Sequence, residues 1–131
     1  MLAALVLVLT LGLTGCGSPP STSAKPIDIR GTWDMVAIAG TSRYPQTMQI
    51  TSEDFITGAL AGTDDGAGLT FKVVGSISGA NATFTTTNAG YTSHSKATVS
   101  GSAGTLTMAG TFTDSNKTSG TFTAQRTAVP L

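Results

Sequence analysis

From residue 29 onward, short runs of alternating apolar and polar residues are separated by clusters of Gly, Asn, Asp and Ser. Successive side chains of a strand leave opposite faces, so a period of two marks a half-buried strand. Met48 and Ile50 share one face of such a run, with Thr47, Gln49 and Thr51 on the other. The expected strands are Thr32 to Ile38, Thr47 to Thr51, Phe55 to Ala61, Leu69 to Ile77, Ala82 to Thr87, Tyr91 to Val99, Thr105 to Thr113 and Thr118 to Thr127. Turn signals recurring every eight to twelve residues or so point to a sandwich or a barrel. The connections are too short for parallel crossovers, so sequence neighbours pair as hairpins. A meander of this kind can close on itself and lose both edges. The expected fold is therefore all-β, an eight-stranded antiparallel up-and-down barrel spanning 29–131. Gly58, Gly75, Gly110 and Gly120 fall inside the runs, where they permit the bending that a small barrel needs.

Charge narrows the partners. Seven basic residues balance seven acidic ones, and charged residues make up only 11% of the chain. No basic stripe is present, which argues against nucleic acid. Threonine and glycine are abundant instead, giving an uncharged polar surface on β structure.

The segment Met1 to Leu13 is almost wholly apolar. It is too short to span a bilayer as a helix, which takes about 20 residues, but it has the length of a signal-peptide core. No Lys or Arg precedes it. Leu13-Thr14-Gly15-Cys16 then resembles the bacterial lipobox, an aliphatic residue and two small ones before a cysteine. The resemblance implies cleavage after Gly15 and a diacylglycerol thioether on Cys16, the only cysteine. The expected organisation is a signal helix over 1–15, the lipidated Cys16 with a flexible Pro- and Ser-rich linker over 16–28, and then the barrel. The address is the cell envelope. Gly17 after the cysteine favours the outer membrane over the inner where a cell has two.

Gly31-Thr32-Trp33 at the head of the first strand resembles the opening of lipocalins, avidins and related eight-stranded barrels. The likeness implies that Trp33 closes one barrel end and that a basic side chain of the last strand, here Arg126, stacks across it. Thr57 to Thr63 is also similar to an avidin-type second hairpin. Biotin sites use several tryptophans, however, and this chain has one, so biotin is not an expected ligand.

Catalytic signals are sparse. His94, the only histidine, lies on a polar run between Ser93 and Ser95 and reads as an exposed strand residue. One His and one Cys do not make a zinc site. Asp64-Asp65-Gly66 reads as a solvated hairpin turn rather than a set of calcium ligands. Asp114, Asn116 and Thr118 lack the glycine and closing Glu of a calcium loop. Glu53 and Asp54 are adjacent, so on a strand they face opposite ways. No catalytic residue, cofactor or metal is expected. The expected function is a non-enzymatic, membrane-anchored lipoprotein holding a small apolar ligand. Its lining would come from Met35, Met48, Ile50, Leu60, Phe71, Leu106, Met108 and Phe112. The alternative is a filled barrel acting as an envelope structural or protein-interaction module, with the exposed loop Ala39 to Gln46, including Arg43 and Tyr44, as its contact surface.

Overall fold

The computed structural model describes residues 26–130. Cys16, the apolar run before it and the linker up to residue 25 lie outside the described residues. Eight antiparallel strands follow in order: β1 (Gly31–Ala39), β2 (Ser42–Glu53), β3 (Ala59–Gly66), β4 (Leu69–Ser78), β5 (Asn81–Asn88), β6 (Tyr91–Ser100), β7 (Thr107–Asp114) and β8 (Ser119–Ala128). Each pairs with its sequence neighbour, and β1 also pairs with β8, so the sheet closes into a barrel. The all-β meander expected from the alternation is thus the observed fold, and no helix occurs among the described residues.

The turns explain why neighbours pair. Ala67-Gly68 and Ala89-Gly90 join β3 to β4 and β5 to β6, with positive φ at both residues of each pair. This is the two-residue geometry whose twist matches that of the flanking strands. At the β7–β8 connection, Asp114 Oδ1 accepts hydrogen bonds from Asn116 N and Thr118 N, both at 2.9 Å. The Asp114–Thr118 segment is therefore a side-chain-braced turn.

Several boundaries differ from expectation. β2 starts at Ser42, so Ala39 to Gln46 is not a loop but a tight Gly40-Thr41 turn running into a paired strand. β3 is Ala59–Gly66 rather than Phe55 to Ala61. The Phe55–Gly58 segment is a turn, with Asp54 Oδ1 accepting from Ile56 N at 2.8 Å and Thr57 N at 3.1 Å. Gly58 accordingly sits in a turn at φ 78°, not inside a strand. The hairpin turn expected at Asp64-Asp65-Gly66 is strand instead, and the turn falls at Ala67-Gly68. The cause is β3's inner face, Leu60, Gly62, Asp64 and Gly66, which holds one apolar side chain and hides the alternation. Ile27 and Asp28, expected in the linker, already belong to the folded unit. Ile27 packs on the core and Asp28 pairs with Arg30 at 2.8 Å.

Interior glycines set the curvature. A Cβ on Gly110 would lie 2.8 Å from Ala97 Cα and closer still to the Lys96 carbonyl oxygen. The β6–β7 ladder can bend this sharply only because no side chain is there. Gly110→Ala is expected to destabilise the barrel by about 1–3 kcal/mol through overpacking. Urea denaturation measures the loss, and an unchanged midpoint would contradict this account.

Candidate functional site

The two barrel ends differ. At one end Ile29, Trp33, Ile50, Leu60, Leu106 and Met108 are all buried. The Trp33 indole N–H donates to the Ile29 carbonyl at 2.9 Å. Arg126 is the cross-strand partner of Trp33. Its Nη1 donates to the carbonyls of Asp28 at 2.7 Å and Arg30 at 3.2 Å, and its Nη2 donates to the Ala103 carbonyl. One guanidinium thus ties the incoming chain and the β6–β7 connection to β8. The expected stacking on the indole gives way to this carbonyl clamp. A fork of donors suits several carbonyls at once. The cation–π contact found among the described residues is Arg30 over Phe55, at 5.2 Å.

Glu53 completes the sealed end. Its Oε2 accepts from Ile29 N at 2.9 Å, and burial raises its pKa despite that hydrogen bond. Asp54 instead braces the next turn, where the Thr57 and Ile56 backbone N–H groups hold its carboxyl below the ordinary range. The two neighbouring acids therefore serve separate tasks. His94 lies on the outer face, exposed, with Nδ1 3.2 Å from Thr85 Oγ1.

At the opposite end the barrel opens into a cavity of about 470 Å³. This lies within the range of about 300–1,000 Å³ typical of small-molecule sites. Inward-facing residues build its wall strand by strand. β1 contributes Met35 and Ala37, and β2 contributes Tyr44 and Gln46. Asp64 and Gly66 come from β3, and Phe71 from β4. Tyr91, Ser93 and Ser95 line it from β6, Phe112 and Asp114 from β7, and Phe122 from β8. Phe71 and Tyr91 meet edge-on with centroids 5.5 Å apart, an arrangement favoured by the ring quadrupoles. The Tyr91 hydroxyl donates to Asp114 Oδ2 at 3.3 Å, and burial raises its pKa.

Of the eight lining residues expected, the structure brings Met35, Phe71 and Phe112 to this cavity. Met48, Ile50, Leu60, Leu106 and Met108 are instead buried core. Aromatic rings interleaved with small residues line the open end, while Trp33 and aliphatic side chains fill the sealed end.

The residue that sequence reasoning missed is Asp64. Expected in a solvated turn, it sits on the inner face of β3 between Met48 of β2 and Phe71 of β4, only 4% exposed. Its Oδ1 is buried and accepts no hydrogen bond among the described residues. Burial, with help from the Asp65 charge, pushes its pKa up to about 7. Asp65 faces outward and accepts from the Thr70 hydroxyl. A signal was available, because pairing outward from a two-residue Ala67-Gly68 turn sets Gly66 opposite Leu69, Asp65 opposite Thr70 and Asp64 opposite Phe71, on the same face. The lining residues include two carboxylates and no Lys, Arg or His.

No protein-family model, no curated protein and no solved structure matches this chain.

Proposed function

We propose that this chain is a lipid-anchored protein of the bacterial cell envelope whose barrel binds one small molecule in its open mouth, without catalysing a reaction. The cavity carries the binding half of this reading. It joins an enclosing aromatic wall to a few converging polar groups, the composition of a ligand site rather than of a filled core. The opposite end is packed shut, so the contrast is between two ends of one barrel. The lipobox-like Leu13-Thr14-Gly15-Cys16 supports the anchoring half. Two or more acyl chains on Cys16 would hold the protein firmly, since each buried methylene contributes about 0.8 kcal/mol.

Both halves can be tested on the full chain expressed in a bacterium. Cys16→Ser is expected to move the protein from the membrane fraction to the soluble fraction and to abolish incorporation of labelled palmitate. Native mass spectrometry of the wild-type protein is expected to show one bound small molecule that is released by organic solvent. Unlabelled wild-type protein would overturn the anchoring half. A bare chain in every preparation would overturn the binding half.

A further inference from the structure

Resting on the cavity as a binding site, we infer that its ligand is a small organic cation: a protonated amine on an aromatic or apolar body, with the amine directed at Asp64. The first ground is the Asp64 carboxyl, which lines the cavity, is only 4% exposed and has an oxygen without a hydrogen-bond donor among the described residues. Leaving a buried acceptor unpaired costs free energy, and more for a charged one. A ligand that donates to this oxygen removes that cost, and a purely apolar ligand keeps it. The cationic head is thus an addition to the apolar body expected from the sequence.

The second ground is the sign of the charge. Asp64 and Asp114 are the carboxylates of the lining, and no basic side chain accompanies them. An anionic ligand would meet repulsion in a site of low dielectric, where charges interact more strongly than in water. The third ground is the wall. Phe71, Tyr91, Phe112 and Phe122 line the cavity, and aromatic rings suit both an apolar body and a cation, which ring quadrupoles attract. Ser93 and Ser95 add hydroxyls to the same lining.

The test uses three probes of one shape and different charge: 2-(1-naphthyl)ethylamine, 2-(1-naphthyl)ethanol and 1-naphthylacetate. Each is titrated into the purified full-length protein at pH 7.5, with naphthyl fluorescence as the readout. The amine is expected to bind at least about tenfold more tightly than the alcohol, equivalent to about 1.4 kcal/mol. The acetate is expected to bind least. Asp64→Asn, with folding checked by circular dichroism, is expected to bring amine and alcohol to within about twofold while the alcohol still binds. Binding of the alcohol with no preference for the amine would overturn the inference and leave the cavity a binding site. Failure of all three to bind would overturn the binding reading and the inference with it. An amine preference that survives Asp64→Asn would show that Asp64 is not the recognising group.

Discussion

Trp33→Ala is expected to lower the unfolding free energy by about 3–5 kcal/mol, the usual cost of emptying a large aromatic site in a core. A domain of this size has only about 5–15 kcal/mol to lose. Thermal unfolding should shift down by at least roughly 12 °C, at about 4–8 °C per kcal/mol. The size of the effect follows from the position of the indole. Trp33 is fully buried at the sealed end and bonds the Ile29 carbonyl, so its loss opens a hole and frees the incoming chain. Trp33→Phe fills most of the hole and removes only the hydrogen bond, so it should cost less. Arg126→Lys tests the neighbouring clamp. A lysine carries one ammonium where the guanidinium spans carbonyls of Asp28, Arg30 and Ala103, and a loss of about 1–3 kcal/mol is expected. Calorimetry on the three variants decides the order, and a loss below about 1 kcal/mol for Trp33→Ala would refute the account.

Stability is expected to fall as the pH rises from about 4 to about 7, the reverse of ordinary acid denaturation. The group responsible is Asp64, whose folded pKa of about 7 lies above its ordinary value of 3.8. The folded state therefore keeps a proton that the unfolded chain releases, and stability drops wherever that difference holds. The slope approaches about 1.4 kcal/mol per pH unit inside the window. The full loss is on the order of 4 kcal/mol once both states are ionised. Glu53, also raised, acts in the same direction just above its ordinary value of 4.5. The Arg30 hydrogen bond lowers Asp28, and backbone hydrogen bonds lower Asp54, so these two contribute the opposite slope below about pH 4.

The groups facing Asp64 sharpen this expectation. Met48 and Phe71 flank it across the two ladders, and Tyr91 and Asp114 line the same cavity. No cation among the lining residues offsets its burial. Asp64→Asn should flatten the profile between pH 4 and 7 and make the variant more stable than wild type at pH 8. Urea denaturation at four pH values measures both. A wild-type profile rising over that interval, or a variant with the same slope as wild type, would sink the explanation. A bound amine should flatten the wild-type profile as well, because it supplies the missing counter-charge.

The fold was legible because its signals are local and repeated. Eight alternating runs, turn clusters between them and a Trp near one end with an Arg near the other implied a closed meander, and Trp33 and Arg126 are indeed cross-strand partners. The site was less legible, because a cavity requires an inner face that departs from the apolar pattern. Gly62, Asp64 and Gly66 do this on β3, and Ser93 and Ser95 do it on β6. The residues that make room for a ligand are the ones a search for apolar lining passes over. Met48 and Met108 made the converse error, since their bulk marks the filled half of the barrel. Arg126 was found by its position, but its partners were not, because backbone carbonyls carry no mark in a sequence.

The incoming chain reaches β1 beside Trp33, whereas the cavity extends to the turns at the far end of the strands. The nine residues of β1 put that entry roughly 25 Å along the strand from the turns at the mouth. A leash fastened ahead of residue 26 would grip the cup by its base, so neither the leash nor the surface it is fixed to need pass across the opening.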